Sequence, residues 1–109
     1  MPIESYKPQT RQEFNELIQR FSNQWIVVKC SAPWCGPCRR IQNDFESMYL
    51  NHKPSKILIE VNVDEQDDVS AYLKVRSIPV FISYKDGNPH SSCQGANLEN
   101  LQSFFDRMR

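Results

Sequence analysis

The stretch Trp34-Cys35-Gly36-Pro37-Cys38 lies between two segments with different patterns. The preceding run, Trp25–Cys30, is compact and mostly apolar, and it predicts a buried strand. Beyond the stretch, apolar residues recur at helical spacing from Ile41 to Tyr49. Pro37 suits the first turn of this helix, where a backbone N–H would have no helical partner. We therefore expect the stretch to join a buried strand to the N-terminus of a helix.

This position predicts redox chemistry for the two cysteines. Unpaired amide groups at the helix N-terminus point toward the sulfur of Cys35, stabilise its thiolate and lower its pKa. Cys38 follows one turn later, within reach of the same sulfur, and is expected to be the more buried of the two. Cys35 would then attack a substrate disulfide, and Cys38 would displace the reduced product from the mixed disulfide.

The remaining segments predict a mixed α/β domain. Thr10 and Glu13 have the spacing of a capping box, so a helix should begin near Thr10. Asp86-Gly87 is the strongest hairpin signal. Further strands are expected at Ile57–Val63, Val80–Tyr84 and Asn88–Gln94, a short helix at Val69–Leu73, and a last helix at Leu98–Met108 capped by Asn97. The predicted order is βαβαβαββα, a central five-stranded mixed sheet flanked by four helices, in one domain over residues 1–109.

Composition excludes several classes of partner. Thirteen basic residues balance thirteen acidic ones, which argues against nucleic acid or an anionic membrane as the main partner. The N-terminal residues lack the apolar run of a secretory signal, and no apolar run is long enough to span a bilayer. These features predict a cytoplasmic protein, and we expect a monomer.

Two other roles for the Cys35–Cys38 pair compete with redox chemistry. Half of a zinc site would need a second pair of closely spaced ligands, but the other cysteines and both histidines are isolated. We therefore expect no metal. A purely structural disulfide is disfavoured in the cytosol, where thiols are kept reduced.

Four motifs together resemble the thioredoxin family, in order and at the family's spacing: Trp34–Arg39, Val63–Glu65, Arg76–Pro79 and Gly95-Ala96. The resemblance implies a thioredoxin fold and a protein-disulfide reductase with a redox disulfide between Cys35 and Cys38. It also implies that no cofactor is bound. Electrons would come from NADPH through a separate thioredoxin reductase, and the substrates would be disulfide-containing proteins.

The resemblance further implies a docking face for substrates. The Ile78–Pro79 bond should be cis and pack against the cysteine loop, and the backbone before the proline should pair with an extended substrate chain. The alternative for Trp34 is a packing role only. The residues implied for the face are Trp34, Gly36, Pro37, Ile78, Pro79, Gly95 and Ala96.

Lys29 and Glu60 depart from the family pattern. Family members usually have an acidic residue where this chain has Lys29, and a lysine where it has Glu60, so the pair is inverted. One interpretation places the two side chains face to face beneath Cys38, with Glu60 handling its proton. The alternative is that Lys29 reaches solvent while its stem packs on apolar neighbours.

Cys30 and Cys93 lie outside the cysteine loop, and two rival functions remain open. Cys30 is expected to be an inert core residue, whereas Cys93 is expected to be exposed, with a regulatory or dimerising role left open. The rival functions are a scaffold subunit that uses the fold only for binding, and a disulfide oxidase or isomerase.

Overall fold

The computed structural model describes residues 3–109 of the chain. Helices and strands alternate in the order αβαβαββα. The elements are α1 (Arg11–Arg20), β1 (Trp25–Ser31), α2 (Gly36–Asn51), β2 (Lys56–Asn62), α3 (Asp67–Tyr72), β3 (Val80–Lys85), β4 (Asn88–Gln94) and α4 (Leu98–Asp106).

The strands form one mixed sheet with helices on both faces. Its order is β2-β1-β3-β4, with β1 parallel to β2 and antiparallel to β3, and with β3 antiparallel to β4. Apolar residues of α2 and α4 pack on one face, and those of α1 and α3 pack on the other. The sheet therefore supports α2 from below, and the C-terminal end of β1 leads directly into the cysteine loop. Within residues 3–109, no helix is both long and apolar enough to cross a membrane.

The first strand of the predicted order, which should precede α1, is reduced to a single bridge between Tyr6 and Ile59. The Tyr6 N–H donates to the Leu58 carbonyl at 2.9 Å, and the Tyr6 carbonyl accepts from the Glu60 N–H at 2.9 Å. The next bond of the ladder would need an N–H at Pro8, which proline lacks. The expectation of five strands was therefore wrong by one strand.

The side chain of Gln66 takes the place of the missing ladder bonds. Its Nε2 donates to the carbonyls of Pro8, at 2.7 Å, and Glu60, at 3.0 Å. Its Oε1 accepts from the backbone N–H of Asn62 at 2.8 Å. The backbone groups left unpaired at Pro8 are thus satisfied by a side chain, as buried polar groups require.

Local signals in the sequence placed the other elements correctly. Thr10 caps α1 by accepting from the Glu13 N–H at 3.1 Å, and Asn97 caps α4 by accepting from the Asn100 N–H at 2.9 Å. The turn between β3 and β4 has φ values of 55° at Asp86 and 82° at Gly87, which fits the left-handed geometry of a tight hairpin.

Candidate active site

Cys35 is the N-cap residue of α2. Its Sγ accepts a hydrogen bond from the backbone N–H of Cys38 at 3.2 Å, in the way that an oxygen usually caps a helix. Pro37 occupies the first turn, as predicted. The sulfur therefore lies where the helix dipole and a backbone amide without a helical partner both favour negative charge.

Cys35 and Cys38 form a disulfide, so their sulfurs are within bonding reach. The expectation that Cys38 is the more buried residue was wrong: Cys35 is 3% exposed and Cys38 is 7% exposed. The reason is that Cys35 packs with Ala32 and Ile78, while α2 begins directly after it. The asymmetry of the pair lies in hydrogen bonding to the sulfur and not in accessible surface.

Trp34 lies on the surface beside the disulfide, with 65% of its area exposed. Its Nε1 donates to Asp64 Oδ2 at 2.7 Å, which holds the ring in place across the loop after β2. Such exposure argues against a role in packing alone. The hydrogen bond also shows what the sequence did not reveal, namely that Asp64 fixes the tryptophan.

Two backbone segments lie against the cysteine loop. The Ile78 carbonyl oxygen is 3.9 Å from Cys35 Sγ, and the Ile78–Pro79 peptide bond is cis, as the resemblance implies. The Gly95 N–H donates to the Pro79 carbonyl at 2.8 Å, which brings the Gly95-Ala96 segment next to Pro79. These contacts bring Ile78, Pro79, Gly95 and Ala96, four of the residues expected to form the docking face, to the cysteine loop.

Lys29 and Glu60 face each other, as one interpretation of the sequence predicted. Lys29 Nζ lies 3.4 Å from Glu60 Oε2, and the two residues are register partners on β1 and β2. Lys29 is only 6% exposed, so the alternative in which it reaches solvent was wrong. The side chain points into the layer beneath α2, where its Nζ lies 5.4 Å from the centre of the Phe45 ring.

The pair has two further partners that sequence reasoning missed. Gln42 Oε1 accepts from Lys29 Nζ at 2.6 Å, and Ser5 Oγ donates to Glu60 Oε1 at 2.6 Å. Gln42 could have been noticed because it follows Cys38 by four residues and so shares its helix face. Ser5 gave no such signal, since it is distant in sequence.

Glu60 and Cys38 line the same cleft. Burial by itself would raise the pKa of Glu60, but the hydrogen bond from Ser5 and the charge of Lys29 outweigh burial and leave the pKa below its usual value. The side chain is therefore a carboxylate at neutral pH.

The other two cysteines lie in the interior. Cys30 is fully buried, and burial raises its pKa to about 12. Cys93 is also buried, so the expectation that it is exposed was wrong. Its side chain packs inward from the edge strand β4 into the cluster that contains Phe81 and Phe104, and burial raises its pKa as well, although the nearby Arg107 opposes this.

Across the described part of the chain, residues 3–109, no group of three or more His, Cys, Asp or Glu side chains is arranged to hold a metal ion.

Comparison with known proteins identifies the family. The thioredoxin family model matches residues 5–107. The chain is 37% identical over 90 residues to the thioredoxin of Ophiophagus hannah, covering 83% of this chain and 85% of that protein. It is 35% identical over 101 residues to the thioredoxin of Ovis aries, covering 92% and 94%.

Solved structures agree with the sequence relatives. The thioredoxin of Fasciola hepatica superposes with a TM-score of 0.85 at 29% identity, covering 95% of this chain and 99% of that one. The thioredoxin of Plasmodium falciparum gives a TM-score of 0.82 at 29% identity with the same coverage. With its Cys35–Cys38 disulfide at the start of α2, the chain belongs to the thioredoxin family and is a protein-disulfide reductase.

Proposed function

We propose that Cys35 is the attacking thiol and Cys38 the resolving thiol of this reductase. The observation that carries the assignment is the hydrogen bond from the Cys38 N–H to Cys35 Sγ at the N-terminus of α2. This environment stabilises a thiolate at Cys35 in the reduced protein, and the thiolate is the nucleophile in disulfide exchange.

The reaction then runs in two steps. The Cys35 thiolate attacks one sulfur of a substrate disulfide, a mixed disulfide forms, and the other substrate sulfur leaves as a thiolate. Cys38 next loses its proton and attacks Cys35 Sγ. The bond between Cys35 and the substrate sulfur breaks, and the second substrate thiolate departs with the electron pair. The dithiol is oxidised and the substrate disulfide is reduced.

We also propose that substrates dock on the surface around the disulfide. Its members are Trp34, Gly36, Pro37, Ile78, Pro79, Gly95 and Ala96. The exposed Trp34 ring supports this role, as does the position of the Ile78 carbonyl beside Cys35 Sγ, where an extended substrate chain could pair with the backbone. Trp34 is held by Asp64, so little side-chain freedom would be lost on docking.

Glu60 is the proposed proton acceptor for Cys38, and Lys29 is proposed to hold Glu60 in place. Three observations support this role: Glu60 and Cys38 line the same cleft, Glu60 is ionised at neutral pH, and Lys29 lies 3.4 Å from it. A protonated lysine has no lone pair, so Lys29 itself could not accept the proton.

The wider context is proposed from the family. Electrons would come from NADPH through a separate thioredoxin reductase, with no cofactor bound to this chain, and the substrates would be disulfide-containing proteins. We further propose that residues 1–109 form a single domain that acts as a monomer in the cytoplasm. The family match over residues 5–107 supports the domain assignment.

Trapping of the mixed disulfide tests the cysteine assignment. The reduced Cys38→Ser variant is mixed with a disulfide-containing protein such as insulin, and the products are examined by non-reducing mass spectrometry. We expect a covalent adduct at Cys35, because no resolving thiol remains. The matched Cys35→Ser variant should form no comparable adduct. Adducts that form equally well with both variants would contradict the assignment.

Stopped-flow measurement tests the role of Glu60. We expect Glu60→Gln to slow release of the reduced product much more than it slows attack by Cys35, since the amide cannot accept the Cys38 proton. Attack is measured separately in the Cys38→Ser background. Equal release rates in the wild type and Glu60→Gln would remove Glu60 from the mechanism.

A further inference from the structure

Lys29 ends in a partly buried polar network that joins β1 to α2. Lys29 Nζ donates to Gln42 Oε1 at 2.6 Å, and Gln42 Nε2 donates to Glu46 Oε2 at 2.7 Å. An ammonium group only donates and a carboxylate only accepts, so the Gln42 amide has one orientation that satisfies both neighbours. Gln42 therefore holds the ammonium with its oxygen while Glu46 anchors its nitrogen.

Gln42 also lies beside the reacting cysteine. It follows Cys38 by four residues on α2, and the two residues line the same cleft as Glu60. Cys38, Gln42 and Glu60 thus line one cleft. Gln42 contacts the Lys29 ammonium from α2, and Glu60 contacts it from β2.

The Lys29 ammonium lies closer to Gln42 than to Glu60. Lys29 Nζ is 2.6 Å from Gln42 Oε1 but 3.4 Å from Glu60 Oε2. If the Gln42 oxygen were removed, the buried ammonium would lose its shorter hydrogen bond, and the Glu60 carboxylate would be its remaining strong acceptor among the contacts described. A cation that moves closer to a carboxylate stabilises the ionised form and makes it a weaker base.

We propose that Gln42 is a positioning residue for the resolving step, which holds the Lys29 ammonium back from Glu60 so that the carboxylate can take the proton of Cys38. This inference rests on the proposed role of Glu60. The proton passes from Cys38 to Glu60, Cys38 Sγ bonds to Cys35 Sγ, and the bond from Cys35 to the substrate sulfur breaks. The leaving thiolate carries the electron pair and later takes a proton from water.

Several charged groups surround Glu60, and a substitution at Gln42 must be judged against them. They come from β1, the N-terminal segment, α2 and the loop after β2, and they are Lys29, Lys7, Arg39 and Glu65. Glu46 joins this network only through Gln42. A Gln42→Leu substitution changes none of these groups. It removes the hydrogen bond that sets the position of Lys29.

The expected signature of Gln42→Leu is a rate loss that depends on pH. The nearer ammonium lowers the pKa of Glu60, so the resolving step should slow about 10-fold at pH 7, a fraction of what a general base supplies. At high pH, where a thiol ionises without a base, the two rates should converge. Attack by Cys35, measured in the Cys38→Ser background, should be unchanged.

The test is single-turnover stopped-flow from pH 6 to pH 10 with a disulfide peptide. Gln102→Leu is the matched control, because Gln102 makes the same type of contact on α4, from Nε2 to Asp106 Oδ1 at 3.0 Å, on the exposed surface. It should leave the profile unchanged. Glu46→Gln, which weakens the anchor of the Gln42 amide, should give a smaller loss of the same pH form and serves as the second variant if Gln42→Leu does not fold.

Each outcome separates this inference from the proposed function. A loss in Gln42→Leu that is equal at every pH would show a structural role and overturn the inference. A normal profile in Gln42→Leu combined with a slow Glu60→Gln would overturn the inference and leave the role of Glu60 intact. If Glu60→Gln is also normal, the role of Glu60 and the inference both fail, while mixed-disulfide trapping at Cys35 still reports on the cysteine assignment.

Discussion

The two cysteine pairs of this molecule differ in chemistry although all four residues are buried. Cys35 and Cys38 are 3% and 7% exposed, and Cys30 and Cys93 are 0% and 7% exposed. The first pair lies at the N-terminus of α2, where a backbone N–H points at a sulfur. The second pair lies on strands among apolar side chains. We therefore expect reactivity to follow from the groups that face the sulfur and not from the exposed area of the residue.

Alkylation should show the largest difference between these regions. Burial raises the pKa of Cys30 to about 12, so at pH 7 about one thiol in 100,000 is ionised. Cys35 in the reduced protein has a helix N-terminus to stabilise its thiolate. We expect iodoacetamide to label Cys35 at least about 1,000-fold faster than Cys30 in the native protein, as measured by mass spectrometry of tryptic peptides.

The pH dependence of labelling supplies the control. Cys35 should reach its full rate at a pH below that of an ordinary thiol, whereas labelling of Cys30 should still be rising at pH 10. Unfolding in urea should make the two rates similar, since both environments are then lost. Comparable labelling of Cys30 and Cys35 in the folded protein would contradict the expected difference in their reactivity.

The next effect is on stability. Cys30 packs with Val28, Ile59 and Val61 in the layer between the sheet and α1. A serine hydroxyl placed among these side chains would lack a ready partner, so we expect Cys30→Ser to lower the free energy of unfolding by about 1–3 kcal/mol. Urea denaturation of the reduced protein measures it. Reductase activity of the folded fraction should be unchanged.

The Cys30→Ala variant separates two causes of this loss of stability, namely the removal of the sulfur and the burial of a hydroxyl group. It removes the sulfur without adding a hydroxyl, so the difference between the two variants isolates the cost of burying a polar group. Cys38→Ser should show the reverse behaviour, with catalytic turnover lost and the unfolding free energy of the reduced protein little changed. A Cys30→Ser protein as stable as the wild type would mean that the interior at this point supplies a hydrogen-bond partner.

The fold was predictable where the signal is local. The Thr10 cap, the Asp86-Gly87 turn and the Asn97 cap each depend on a few neighbouring residues, and each was found in place. The reactive disulfide was predictable for the same reason, because Cys35 and Cys38 are one helical turn apart.

Features that depend on long-range packing were missed. The prediction of an N-terminal strand was wrong because Pro8 lacks an N–H. Gln66, 58 residues away, supplies the missing hydrogen bonds. The orientation of Cys93 on an edge strand also depends on α4, which covers one face of the sheet. Contacts such as Ser5 with Glu60 cannot be read from spacing, since they form only when distant segments meet.

The smallest expected effect concerns the sulfur cap of α2. Thr10 and Asn97 cap their helices with oxygen, whereas Cys35 caps α2 with Sγ. Serine is a strong N-cap and alanine is not, so under reducing conditions we expect Cys35→Ser to be more stable than Cys35→Ala by about 0.5–2 kcal/mol. Thr10→Ala provides the scale for losing an ordinary cap, and all variants are compared by urea denaturation. If the Cys35→Ser and Cys35→Ala variants were equally stable, the hydrogen bond from the Cys38 N–H to the side chain at position 35 would contribute nothing measurable to stability. The stabilisation of a Cys35 thiolate would then have to come from the helix dipole alone.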